Sequence, residues 1–426
     1  MKEIKSDNGA VPKMPELLAP AGNYEKLMTA VHYGADAVYL GGKHYSLRAK
    51  AGNFNPEKMR EGINYAHQHN VKVYVTVNIL AHNDDLSGLP DYLRELHDMG
   101  ADGVIISDPG VLMTAREAVP DLPIHLSTQA NVTNAASAAF WLSQGALRLN
   151  LARELSMQEI ADISKGVSGE LEVFVHGALC ISYSGRCMLS NYMTGRDANQ
   201  GNCAHPCRYS YALVEEKRPG QYFPVDEDER GTYIFNSKDL CLLESLPQLI
   251  AAGADSLKIE GRMKSIFYVG GVVRVYRAAL DYLAGLPKEA WEKPEEITLP
   301  QEFMEELLRT GTRGITENFI KERPGSSEMN YMTSRVIQTY EPIAVVRDLD
   351  NGLLVEIRNT LFPGTEVEYM KQGVGATKVR ITTFRDEEGK TLEKANPGNR
   401  VFLTTEPALE EVEVLGILRR KIADDK

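Results

Sequence analysis

The chain has 426 residues, enough for two or three domains with a sizeable core. Its composition, 43% hydrophobic and 25% charged, is that of a globular protein, and no apolar run is long enough to span a bilayer, so no membrane partner is expected. Lys and Arg number 47 against 59 Asp and Glu, and the net charge of −12 counts against wholesale wrapping of nucleic acid while leaving room for a local basic patch.

The first residues, "MKEIKSDNGAVPKMP", lack the apolar centre of a signal peptide. Residues 1–13 therefore read as a short mobile tail, and the expected location is the cytoplasm, where thiols stay reduced. Beyond it one plan recurs. "YGADAVYLGG" (33–42), "MGADGVIISD" (99–108), "QGALRLNLAR" (144–153) and "AGADSLKIEG" (252–261) each put a Gly at a helix C-cap and follow it with a short apolar strand. Four further strands fit between them: "ELLAPAG" (16–22), "VKVYVTVN" (71–78), "PIHLSTQ" (123–129) and "LEVFVHG" (171–177). Such apolar runs suit a parallel sheet buried on both faces. Segments such as "NYEKLMTAVHYG" and "LPDYLRELHDMG" have helical spacing and fill the gaps.

Eight β-then-α units predict an α/β fold, a (β/α)8 TIM-like barrel over residues 14–285. An open doubly wound sheet is the alternative. Eight strands favour closure, and no G-x-G-x-x-G follows the first strand. The spacing breaks once, between strands seven and eight, where an insertion over 178–250 emerges at the C-terminal mouth of the barrel. A Pro- and Glu-rich helical linker is expected over 286–332. From 333 to 426, "EPIAVVRDL", "GLLVEIRN", "GTEVEYM", "TKVRITTF" and "NRVFLTT" predict a small β-barrel-like domain with an Asn-Gly hairpin at "DLDNGLLVEI". It reads equally as a structural lid or dimer surface and as a substrate-binding module.

All five cysteines lie in the insertion: Cys180, Cys187, Cys203, Cys207 and Cys241. Their spacing, C-x6-C-x15-C-x3-C and then Cys241, is not a zinc ribbon of two C-x-x-C knuckles. Four thiolates in one insertion still suit a metal centre, either Zn or an iron–sulfur cluster, which spacing does not separate. Cys207 is the favoured fourth ligand because it lies one short turn from Cys203, with Cys241 as the alternative. A catalytic cysteine paired with His176 or His205 would leave the other thiols unexplained.

Polar residues at predicted strand ends supply the rest of a candidate site. They are Asn78, Asp108, Gln129, Arg153, Glu154, His176, Glu260 and Arg262. His176, Glu260 and Glu154 are the catalytic candidates. Each has a bland reading as a helix cap or a satisfied ion pair; Arg153 could pair Glu154, and Glu260 could pair Arg262. The "HQH" at 67–69 reads as a solvated helix end.

The stretch "EVFVHGALCISYSGRCMLS" matches the pattern E-x-F-x2-G-[SA]-[LIVM]-C-x4-G-x-C-x-[LIVM]-S at Glu172, Phe174, Gly177, Ala178, Leu179, Cys180, Gly185, Cys187, Leu189 and Ser190. On this signature the chain resembles the peptidase U32 family. "PELLAPAGN", "HLSTQ", "RDANQGNC", "NSKDL" and "DSLKIEGRMKS" extend the resemblance over most of 14–285. Within the family it is most similar to the branch that installs 5-hydroxyuridine at wobble uridine 34 of tRNA. That resemblance implies a tRNA hydroxylation enzyme acting on the anticodon loop, prephenate as co-substrate, and a [4Fe–4S] cluster on the cysteines. Some branches take a later cysteine as fourth ligand, which keeps Cys241 open. A second protein or a second copy as partner is also left open.

A dicarboxylate calls for arginine forks, for which Arg48, Arg153, Arg262 and Lys264 are the candidates, with Asn78 and Gln129 beside them. Arg186, Arg196 and Arg208 would meet tRNA phosphates, and Tyr183, Tyr192 or Tyr209 would stack a base, unless those rings pack in the core. Two other readings stand: a U32-type peptidase, although neither H-E-x-x-H nor G-x-S-x-G occurs, and a non-catalytic RNA-binding subunit.

Overall fold

In the computed structural model the repeated Gly-Ala segments behave as their composition dictates. Gly34, Gly100, Gly145 and Gly253 all take left-handed φ between 88° and 97°, ending one helix and turning the chain into the next strand. The structure describes residues 11–47, 53–180, 182–208, 238–321 and 336–422, with only the backbone of four two-residue strands between 213 and 232.

Seven parallel strands follow in chain order: β1 Glu16–Pro20, β2 Ala37–Gly41, β3 Lys72–Val77, β4 Gly103–Ile106, β5 Ile124–Leu126, β6 Arg148–Asn150 and β7 Glu170–Ala178. Two further strands are β8, Asp239–Cys241, and β9, Ser256–Ile259. Strand β9 pairs in parallel with both β1 and β7 and closes an eight-stranded barrel. Helices alternate with the strands. The first is α1, Tyr24–His32, capped by Asn23, and the one after β9 is α10, Ile266–Ala284, capped by Ser265. The sheet is therefore the expected closed barrel.

The barrel interior is not wholly apolar. Leu18, Ala37, Tyr39, Tyr74 and Ile105 share it with an ionic network. Arg148 donates to Glu16 (2.5 Å) and to Glu170 (2.8 Å), and Tyr74 donates to Glu16 (2.8 Å). Lys258 and Asn150 both donate to Glu172 at 2.7 Å. Charges taken out of water persist only when paired in this way. Glu172, read in sequence as part of a signature, is the acceptor that neutralises Lys258.

Strand β7 runs past the barrel rim. Its register with β9 shifts between Lys258 and Ile259; His176 pairs with both Ile259 and the antiparallel β8, and Gly177 and Ala178 continue along β8. The insertion thus contributes a strand that the sequence reading did not anticipate. This extension delivers Cys180 over the mouth.

Among its described residues the linker has a helix, Gln301–Leu308, and short 3-10 turns. The C-terminal unit is a closed barrel of six strands: Tyr340–Asp348, Leu354–Ile357, Glu366–Met370, Ala376–Arg385, Arg400–Glu406 and Ile417–Lys421. Five were expected, and the Asn-Gly turn at 351–352 joins the first two. The sixth, "ILRRK", has no alternating pattern, because its Arg419 is buried between the two barrels. There Arg419 donates to Glu306 (2.8 and 2.9 Å) and Glu368 (2.8 and 2.9 Å), and Arg274 of α10 also pairs with Glu306. Arg347 and Arg358 of the small barrel both reach Glu25 on α1. Met370 and Ile417 join the large barrel's core.

Candidate functional site

Four of the five cysteines, Cys180, Cys187, Cys203 and Cys207, line one cavity of ≈ 150 Å³ at the barrel mouth. Asn78, Gln129, Asn150, Arg153, Lys258, Glu260 and Arg262 line the same cavity.

The cysteine loop is built by polar side chains that replace secondary structure. Glu154 accepts from the Ser184 N–H (2.7 Å) and hydroxyl (3.1 Å), holding Ser184 at φ 46°. Asn199 brackets Cys187, accepting from its N–H (3.3 Å) and donating to its carbonyl (3.2 Å). Ser190 donates to the Arg196 carbonyl (2.7 Å) and accepts from the Ala204 N–H (2.9 Å). Arg196 donates to Asn202 (3.2 Å) and to the Cys203 carbonyl (3.0 Å). The loop is tied to the barrel where Leu80 donates to the Asn199 carbonyl (3.2 Å). Crowding by surrounding protein raises the Cys180 thiol above its ordinary pKa; the Ser182 N–H opposes this and the neighbouring Cys187 and Cys203 reinforce it.

Cys241 stands elsewhere. It is buried on β8 opposite His176, beside the Tyr276 hydroxyl, and burial pushes its thiol up to about 11. It does not line the cavity of the other four. Among the described residues no three His, Cys, Asp or Glu side chains converge closely enough to grip a single ion. Four thiols lining one cavity are a donor set that an iron–sulfur cluster would accept.

The cavity floor is cationic. Arg153 lies 3.9 Å over the Phe174 ring and donates to the Ala178 carbonyl (3.1 Å). Arg262 is buried and donates to Ser46 (2.8 Å), Thr76 (3.1 Å) and Asn53 (2.7 Å). Gly22 and Gly41 make room for it: a Cβ on Gly22 would stand 1.9 Å from the Arg262 carbonyl oxygen, and one on Gly41 2.4 Å from its Nη2. Lys258 is 4% exposed and lies 4.7 Å from the Tyr39 ring. Asn150 is 2% exposed, and its orientation is fixed, because Glu172 accepts and so must face the Nδ2. That leaves the Asn150 Oδ1 buried with no hydrogen-bond partner among the described residues. An acceptor in that state favours a ligand that donates to it.

The sequence candidates separate accordingly. Asn78, Gln129, Arg153, Glu260 and Arg262 line the cavity with the four cysteines. Asn78 donates to Ser127 (3.4 Å), whose hydroxyl donates to Gln129. His176 does not line the cavity. It is buried between Tyr268 and Tyr276, at ring distances of 5.9 and 5.6 Å, and burial holds its pKa at about 4. Glu154 braces the loop and does not pair with Arg153. Lys264 sits 5.0 Å from the Tyr268 ring, off the cavity, and Asp108 caps a helix by accepting from Gly110 and Val111. Arg48, Tyr209 and the Arg208 side chain lie outside the described residues. Tyr183 and Tyr192 are 53% and 89% exposed, so neither packs in the core. Lys258 and Asn150 were missed, although a lysine in "SLKIE" and an asparagine in "LRLNL" interrupt apolar parallel strands and so signal an inward polar position.

The profile of Peptidase family U32 matches residues 22–330, and that of the Peptidase family U32 C-terminal domain matches 338–419. The chain is 42% identical to "tRNA hydroxylation protein P1" of Bacillus subtilis, over 92% of each chain. It is 35% identical to "Uncharacterized protease MJ0090" of Methanocaldococcus jannaschii, over 96% of this chain and 99% of that one. It is 33% identical to "23S rRNA 5-hydroxycytidine C2501 synthase" of Escherichia coli, over 73% of this chain and 46% of that one. The matched regions take in β2 to β9, the cysteine insertion and nearly all of the small barrel, and the chain belongs to peptidase family U32.

Proposed function

We propose that this chain is an RNA-hydroxylating enzyme that converts wobble uridine 34 of tRNA to 5-hydroxyuridine, with prephenate as co-substrate. The names of two similar proteins, one acting in tRNA hydroxylation and one on a ribosomal RNA cytidine, support RNA hydroxylation as the class. A tRNA substrate implies the cytoplasm. The observation that carries the reading is the cavity itself, lined by four thiols together with Arg153 and Arg262.

Cys180, Cys187, Cys203 and Cys207 would hold an iron–sulfur cluster. Bound there, it would supply electron transfer, the chemistry on which a hydroxylation draws. Arg153 and Arg262 bind the two carboxylates of prephenate, and the fixed Oδ1 of Asn150 accepts from its ring hydroxyl. Glu260, which lines the cavity, is the proton acceptor of the site. The uracil enters past Tyr183 and Tyr192, whose exposed rings offer a stacking surface to an unpaired base. Glu154 acts through Ser184 as a positioning residue.

The test is nucleoside analysis of tRNA from a deletion strain. Loss of 5-hydroxyuridine, restored by the wild-type chain and not by Cys180→Ser, is expected; undiminished 5-hydroxyuridine in the deletion strain would sink the reading. A peptidase has one observation in its favour, the Cys203 Sγ 3.8 Å from the His205 Nδ1. Gelatin cleavage by the purified chain, abolished by His205→Ala, would support it.

A further inference from the structure

The small barrel carries a groove of ≈ 460 Å³ on its outer face, lined by Lys378, Arg380, Arg419, Arg420 and Lys421. Alternation sets this face. Val367, Tyr369, Val379 and Leu418 point into the small barrel, so Glu366, Glu368, Lys378, Arg380, Arg419 and Lys421 point out of it. Three acids share the groove: Glu366, Glu368 and Glu406. Glu368 is committed to Arg419, and Glu366 to Arg380 at 2.9 Å. Arg420 pairs with Glu341 at 2.5 Å. Lys378 and Lys421 are exposed and make no ion pair among the described residues. With these pairs counted, Lys378 and Lys421 remain against Glu406, a local cationic surplus on a chain of net charge −12 that favours a polyanion.

The groove also lies within reach of the cysteine-lined mouth. Asp239 pairs with Ala178, two residues before Cys180, and also with Arg313. Thr312 bridges to Ile337, three residues before Tyr340, which lines the groove. Strand-pair spacings and extended-chain lengths bound the Ala178–Tyr340 separation at about 35 Å. Tyr340 is held between Arg309 and Arg419, with its ring 4.9 and 4.8 Å from them, so it is not free to stack a base. The groove offers cations without a reading surface.

We infer that this groove on the small barrel binds the phosphate backbone of the RNA whose target base enters the mouth, with Lys378 and Lys421 as the phosphate contacts. The inference rests on the RNA-hydroxylation reading for its partner and deepens it. Contacts of this kind position the substrate and do not read sequence.

The test titrates the full chain with an unmodified tRNA transcript at several salt concentrations. The variants are Lys378→Glu/Lys421→Glu and, at the far end of the large barrel, Lys165→Glu as control. Because both groove lysines are solvated, folding should be unaffected, which a thermal melt checks. The double variant should bind at least about tenfold more weakly and lose about 1.5–2 from the slope of log K against log salt. The control should match wild type. Equal affinity and slope for the double variant would overturn the inference, as would a loss confined to anionic phospholipid vesicles. Nucleoside analysis of the deletion strain separates the two claims. Unchanged 5-hydroxyuridine there refutes the hydroxylation reading, whereas groove-independent binding with 5-hydroxyuridine lost refutes only the groove.

Discussion

His176 shows how position overrides chemistry. A histidine four residues before a cysteine reads as a proton-transfer group, but the fold encloses it between two tyrosines and burial keeps it neutral. Its folded pKa of about 4 lies below the ordinary 6.5, so the unfolded chain takes up the proton first as pH falls. The resulting loss of stability builds below about pH 6.5 and is complete below about pH 4. Between pH 7 and 5 it amounts to about 2 kcal/mol. In urea denaturation, His176→Phe should lose stability over that interval by about that much less than wild type; an identical pH dependence would refute the assignment. Arg153 belongs to the other class, since its fork faces the cavity. Arg153→Lys keeps the charge and loses the fork, and should weaken prephenate binding by ~10–100-fold in calorimetric titration. Unaltered affinity would remove Arg153 from the ligand site.

At the scale of elements, the eight strands were legible because four apolar runs follow a helix-capping Gly and four more fall at regular intervals between them. Strand β8 was not, because "DLC" is too short to carry a period, and its place is set by the rim of β7. The sixth strand of the small barrel was hidden because its arginine is buried by a partner on another element, Glu306. The cysteine spacing brought four thiols to one cavity, but their loop depends on Glu154, whose role no local pattern announces. Glu154→Gln replaces a charged acceptor with a neutral one and Glu154→Ala removes both bonds. The alanine variant should raise amide exchange at Ser184 by ~10–100-fold, from the ~1.5–3 kcal/mol of hydrogen bonds to a charged group. Protection equal to wild type would mean that the loop is held by its own bonds.

Across the whole molecule, the two barrels are joined by buried charge. Glu306 accepts from Arg274, Arg309 and Arg419, and Arg274 and Arg419 are almost wholly buried. Glu306→Leu strips two buried guanidinium groups of their shared partner and should cost about 3–5 kcal/mol. In calorimetry that is a fall in Tm of roughly 3–6 °C for 426 residues melting as a unit, and separate melting of the two barrels would follow if this contact couples them. A change within about 1 °C would show that Glu368 and Glu25 suffice. The sequence told of two domains and a mouth, but not of the ion pairs that fasten one to the other, since those link residues over a hundred positions apart. The most direct measurement of the central claim, that the four mouth thiols share one inorganic group, is iron and sulfide analysis of anaerobically purified chain. Wild type and Cys241→Ser should carry equal iron and sulfide, with both lost in Cys180→Ser and in Cys207→Ser. Iron lost in Cys241→Ser and kept in Cys207→Ser, or zinc without sulfide in the wild type, would contradict it.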